Sequence, residues 1–167
     1  MTQLPPIVTY NTSELLALRA KRRPEFELIT NACTNRLRDW GYIAPTVAVD
    51  TRYLLSELDS GSVGAVVLAR YDLPQILGLV GARIERMGRR VCLRVQRPYL
   101  AEHPTFYGVQ RYEIYEALKL GCLRYVLQHL ILFRLDDAPP AREVEWHIAG
   151  MKCGDRYRLR GTELVRI

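Results

Sequence analysis

Residues 72–88, DLPQILGLVGARIERMG, decide how the whole chain is read. Their apolar side chains, Leu73, Ile76, Leu77, Val80, Ile84 and Met87, recur at three- and four-residue steps, the period of one helical face. Asp72 stands where an N-cap would accept from the first free N–H groups. Pro74 falls in the first turn, where its missing N–H is harmless, and Gly88 supplies a stop. The spacing predicts a helix here.

On either side the period changes. Residues 63–70, VGAVVLAR, form a continuous apolar run that reads as a buried strand. Residues 89–97, RRVCLRVQR, alternate, with Val91, Leu93 and Val95 on one face and Arg90, Cys92, Arg94 and Gln96 on the other. Strand, helix and strand over 63–96 predict one βαβ crossover.

Further out, residues 1–9, with Pro5 and Pro6, read as an extended arm, and residues 10–167 as a single domain. NTSELLALRAKR (11–22) predicts a short helix with Thr12 or Ser13 as N-cap. Beyond Pro24, Phe26, Ile29, Cys33, Leu37 and Trp40 make a second helical stripe, stopped by Gly41. PTVAVD (45–50) is a strand candidate and 51–59 a helical one. A helix over 108–120 is expected to end at Gly121. After it, CLRYVLQHLILFRLDD (122–137) and REVEWHIAG (142–150) read as hairpin strands, completed by DRYRLR and TELVRI. The expected fold is therefore α+β: a helix-rich N-terminal half with one βαβ unit, a C-terminal antiparallel β-meander and a mixed sheet.

Charge narrows the function. The 167 residues carry a formal net charge of +6, and 21 of the 24 cations are arginine. Such a balance suits acidic partners, above all nucleic acid, and the planar guanidinium suits bidentate contact with phosphate. No apolar run reaches the ~18 residues that span a bilayer, and the first residues lack the basic head and apolar core of a signal peptide. The expected location is intracellular, cytoplasmic or nuclear, without membrane contact.

Catalytic motifs are missing from the sequence. Cys33, Cys92, Cys122 and Cys153 form no C-x-x-C pair and read as reduced core thiols, so no metal is assigned. No glycine loop has phosphate-binding spacing, and no serine sits in a nucleophile elbow. The acid–base candidates are His103, beside Glu102, and the strand face of Glu143, Glu145 and His147. Each has a sufficient local role as a turn residue or a solvated strand face. No catalytic residue and no cofactor is assigned.

Two constellations remain. Arg90 and Arg94 share one strand face, and Arg156, Arg158 and Arg160 share another, at a period close to the phosphate repeat of a single strand. Tyr99, Tyr107, Tyr112 and Tyr115 lie nearby in sequence and could stack bases. These arginines are expected to lie side by side on one face with little acidic compensation. Separately, Tyr10, Leu15 and Leu16 fit Y-x-x-x-x-L-Φ, which is similar to the docking motif of proteins that bind the cap-binding translation initiation factor. That resemblance covers seven residues and implies a helix docking a protein partner.

The leading expectation is a non-enzymatic basic protein that contacts nucleic acid, or a nucleoprotein complex, through Arg90, Arg94, Arg156, Arg158 and Arg160. The first alternative is a structural or adaptor subunit of a macromolecular assembly, viral assemblies included, docking through its N-terminal arm and helix. A small acid–base or metal-dependent enzyme is the third.

Overall fold

The computed structural model describes residues 7–39, 62–70, 74–100, 105–106, 109–129, 142–148, 154–161 and 163–167. In chain order these form β1 (Ile7–Asn11), α1 (Thr12–Lys21), α2 (Arg23–Asp39), β2 (Ser62–Arg70), β3 (Pro74–Met87) and β4 (Arg90–Leu100). A small ribbon of β5 (Thr105–Phe106) and β6 (Val109–Gln110) follows, then α3 (Arg111–Gln128), β7 (Glu143–Ile148), β8 (Asp155–Arg160) and β9 (Glu163–Arg166). Seven strands make one mixed sheet in the order β1-β2-β3-β4-β7-β8-β9. Every neighbouring pair in it is antiparallel except β4 and β7, which run parallel.

Residues 74–87 are thus a strand, and the expected helix, the βαβ unit over 63–96 and the helix-rich front half are all overturned. β2, β3 and β4 are an antiparallel meander. The helical period is an accident of burial on both faces. Leu77, Val80 and Ala82 join the cluster under α3, whereas Ile76 and Leu79 join the cluster under α1 and α2. A strand apolar on both faces loses its period of two. A bulge shifts the phase as well: Val67 faces Gly78 but Leu68 faces Ile76, leaving Leu77 as the extra residue. Pro74 is the first residue of the strand, another place where its missing N–H is tolerated. Gly88 closes the β3–β4 turn with a left-handed φ of 64° rather than ending a helix.

The sheet carries helices on both faces. On one side Phe26, Ile29 and Cys33 of α2 and Leu15 of α1 pack on Val66, Leu68, Ile76 and Leu79. On the other, Ile114, Leu118, Cys122, Leu123, Tyr125 and Val126 of α3 cover Val63, Ala65, Val91, Leu93, Val144 and Trp146. Burial pushes the thiols of Cys33 and Cys122 up to about 12, leaving them protonated and unreactive at neutral pH.

Two expected helix boundaries are corrected. The N-cap of α1 is Asn11: its Oδ1 accepts from the Glu14 N–H at 3.0 Å, and Glu14 Oε1 accepts from the Asn11 N–H at 3.0 Å. Thr12 instead pins the helix to β2, its Oγ1 accepting from the Gly64 N–H at 2.7 Å. At the other end of the chain, Gly121 continues α3 rather than stopping it. A Cβ there would lie 2.9 Å from Thr9 Cγ2 and 3.3 Å from Ala65 Cβ, so glycine serves close approach of the helix to β1 and β2. The strand expected from residue 122 is therefore helix through Gln128. Its polar residues face the N-terminal elements: Arg124 donates to Glu14 at 2.6 Å and to the Thr9 carbonyl at 3.0 Å, and Asn11 Nδ2 donates to Gln128 Oε1 at 3.0 Å. The expected elements at 45–50 and 51–59, the stop at Gly41 and residues 130–141 lie outside the described residues.

The last three strands form an antiparallel meander, tied to α3 by Lys119. That amine is 2% exposed and meets Glu116 at 2.9 Å and Asp155 at 3.0 Å, while Arg166 holds the other Asp155 oxygen at 3.0 Å. Burial pulls the Lys119 pKa down, but hydrogen bonds to Glu116, Tyr157 and Asp155 outweigh it, and the amine is held above its ordinary value. Among the described residues, no helix is long and apolar enough to cross a membrane.

Candidate functional site

Strand alternation sorts the side chains of β4, β7 and β8. Val91, Leu93, Val95, Val144, Trp146 and Tyr157 belong to the cluster under α3. The intervening residues therefore stand on the opposite face. Register aligns them in rows: Arg90, Glu143 and Arg158 in one, Cys92, Glu145 and Arg156 in the next, Arg94 and His147 in a third. Arg160 stands beyond, opposite Glu163 of β9.

The arginines of β4 and β8 do share one face, but β7 lies between them and brings carboxylates. Glu143 accepts from Arg156 at 2.8 Å and Arg158 at 3.3 Å, with Arg90 Nε at 3.7 Å. Arg90 reaches Glu145 at 3.2 Å, and Arg94 donates to Glu85 of β3 at 2.7 Å. Hydrogen bonds from Arg156 and then Arg158 hold the Glu143 carboxyl below the usual carboxylate range. The expectation of little acidic compensation is therefore corrected: four of the five expected arginines are already paired, and among the described residues only Arg160 of the five makes no such bond.

The charge without internal partners lies at the end of this face. Arg89 of the β3–β4 turn, Arg90, Arg142 just before β7, Glu143, and Arg158 and Leu159 of β8 line one cavity of about 580 Å³. Its walls are stitched together by backbone: Arg142 N–H donates to the Arg89 carbonyl at 2.8 Å, and Leu159 N–H to the Arg142 carbonyl at 2.9 Å. Arg89 and Arg142 are exposed, and among the described residues neither guanidinium has an ion pair or hydrogen bond. Neither was expected from sequence, because period two puts Arg89 on the face of Val91, Leu93 and Val95 and puts Arg142 on the face of Val144 and Trp146. The Arg89–Arg90 doublet and the Arg142 that opens REVEWH were the available signals.

The other candidates are placed as follows. Tyr10 belongs to β1 and not to α1, so the three docking residues share no helical face. Leu15 is buried, and half-buried Tyr10 and Leu16 pack against the same cluster as Phe26, Ile29 and Cys33. Tyr115, on α3, accepts a hydrogen bond from Trp146 Nε1 at 2.7 Å, on the face away from the arginines. Tyr107 and His103, as well as the side chain of Tyr99, lie outside the described residues. Glu143, Glu145 and His147 share a face, yet both carboxylates are taken up by arginines. Among the described residues, no group of three His, Cys, Asp or Glu is placed to hold a metal ion.

No family model matches the chain, and neither the curated proteins nor the solved structures contain a significant match to it.

Proposed function

We propose that the chain binds the phosphate backbone of nucleic acid at the arginine-lined end of its sheet. One observation carries this reading: four guanidiniums, those of Arg89, Arg90, Arg142 and Arg158, line a single cavity with one carboxylate, and two of the four have no partner among the described residues. Arginine forks pair bidentately with phosphate oxygens, and a cluster left with surplus positive charge displaces the cations condensed on a nucleic acid when the two bind. The described lining includes no aromatic ring, so these contacts would position a strand without reading its sequence.

Replacing Arg89 and Arg142 together by glutamine should weaken binding to single strands and duplexes of any sequence. The slope of log K against log salt should fall by about 1.4 for single strands and about 1.8 for duplexes, the loss of two phosphate contacts. Replacing Arg156 and Arg158 instead should change the slope less, since both are already hydrogen-bonded to Glu143. Identical slopes for wild type and the Arg89, Arg142 variant, measured by anisotropy across a salt series, would count against the reading.

The seam between β4 and β7 favours a second reading, a small-molecule site. Pairing along this parallel seam runs from Arg90 and Glu143 to Val95 and Ile148, while β4 continues beside β3 to Leu100. At the parting point Gly81 faces Arg97 and Ala82 faces Val95, so Gln96 is a bulge residue. β-Bulges are over-represented next to binding and active sites, where they re-aim a side chain or end a pairing. In an NMR titration with small phosphorylated compounds, this reading predicts amide shifts concentrated at Val95–Leu100 and the first turn of α3. Shifts confined to Arg89, Arg90, Arg142 and Leu159 would favour the first.

A further inference from the structure

Building on the phosphate reading, we propose that the cavity at the sheet end is a site for a phosphate monoester dianion, supplied by the terminal phosphate of a nucleic-acid strand. The cavity's form is the first ground. Backbone bonds from Arg142 to the Arg89 carbonyl and from Leu159 to the Arg142 carbonyl hold the lining segments together around a recess of about 580 Å³. An internal phosphate leaves through ester bonds on two sides, as a groove allows. A terminal phosphate is tethered on one side only and can enter a concavity end-on.

Valence is the second ground. An internal diester brings one charge and two non-bridging oxygens. A monoester brings about −1.5 to −2 at pH 7 and three acceptor oxygens. The cavity offers four guanidiniums against Glu143 alone. That carboxylate is already committed to Arg156 at 2.8 Å and Arg158 at 3.3 Å. The local network is short of acceptors even so, since Arg156 Nε is buried without one. Arg90 is braced by Glu145 and Arg158 by Glu143, whereas Arg89 and Arg142 stand at the cavity with their forks unused. Three oxygens match two such forks better than two do.

The test compares two oligonucleotides of one sequence, labelled at the 3′ end, with either a 5′-phosphate or a 5′-hydroxyl, by anisotropy at a single salt concentration. Wild type should bind the phosphorylated strand about tenfold more tightly, as expected when fixed guanidinium forks meet the extra charge and oxygen. The Arg89→Gln, Arg142→Gln variant should reduce that preference to under about twofold. Arg142→Lys, which keeps the charge but loses the fork, should reduce it to an intermediate value. Circular dichroism and thermal unfolding establish that each variant is folded.

Equal affinity of wild type for both strands would overturn the end-binding inference and leave the backbone reading standing. If neither strand binds, the nucleic-acid reading fails, and titration with phenyl phosphate decides what remains. Saturable binding lost in the double variant would make the ligand a free monoester and overturn the strand end as its source. No binding of phenyl phosphate either would overturn the site altogether.

Discussion

Trp146→Ala should lower the free energy of unfolding by about 4 kcal/mol, the usual cost of deleting a large buried aromatic. Trp146 is 2% exposed and belongs to the cluster that joins β7 to α3. Its ring meets that of Tyr115 edge-on, with centroids 6.2 Å apart, and its Nε1–H donates to the Tyr115 hydroxyl at 2.7 Å. Alanine removes the packing and the hydrogen bond together. Tyr115→Phe isolates the second part: the indole N–H loses its acceptor inside the core, at a cost of about 1–2 kcal/mol. Urea unfolding of the two variants separates void from lost bond. A cost below about 1.5 kcal/mol for Trp146→Ala would mean that β7 is held to α3 by other means.

Gly154→Ala should cost about 3 kcal/mol, an unusual penalty for one added methyl group. Gly154 immediately precedes β8. A Cβ there would overlap the Trp146 carbonyl oxygen and lie 2.9 Å from the Trp146 carbonyl carbon and 3.1 Å from His147 Cα. All three are backbone atoms of β7, so no side chain can swing aside. β8 would have to step away, disturbing the Asp155–Trp146 pairing and the Lys119–Asp155 bond with it. Gly161→Ala is the comparison. Its φ of 64° is left-handed but its surroundings are open, so only the conformational cost of about 1 kcal/mol applies. Equal penalties in denaturant unfolding would rule out the clash.

These sites also show what the sequence could reveal. The alternation of Val91, Leu93 and Val95 was legible because β4 turns a charged face away from α3. The stripe of Phe26, Ile29 and Cys33 was legible because α2 buries one face only. β3 was not, because Ile76, Leu77, Leu79 and Val80 are all buried and the bulge at Leu77 breaks what alternation survives. Gly78 and Gly81, each costing a helix interior roughly 1 kcal/mol relative to alanine, were the overlooked warning. Gly121 misled in the opposite direction, since a glycine chosen for close packing looks the same in sequence as one chosen to end a helix. At the candidate site, alternation placed the arginines on one face. It could not reveal that Glu143 and Glu145 would lie between them, because strand order is a tertiary fact. Arg89 and Arg142 stand at the very ends of their segments, where period two would assign them to the apolar face and so hides them.

The parallel seam has a bearing on the order in which the chain acquires its shape. β2, β3 and β4 meet through local connections and can pair as soon as each has been made. β7 must find residues 90–95 from positions 143–148, after everything between has been synthesised. Closing so long a segment is entropically costly, and non-local pairing of this kind slows folding. Until then β4 is an open strand border carrying Val91, Leu93 and Val95 beneath an α3 that still lacks Val144, Trp146 and Tyr157. The nascent protein therefore passes through a stage with a sticky, unfinished margin, and arrival of the C-terminal meander seals it. Arg90 and Arg94, on the face of β4 turned away from α3, guard that margin before they act as anything else, discouraging pairing between incomplete chains.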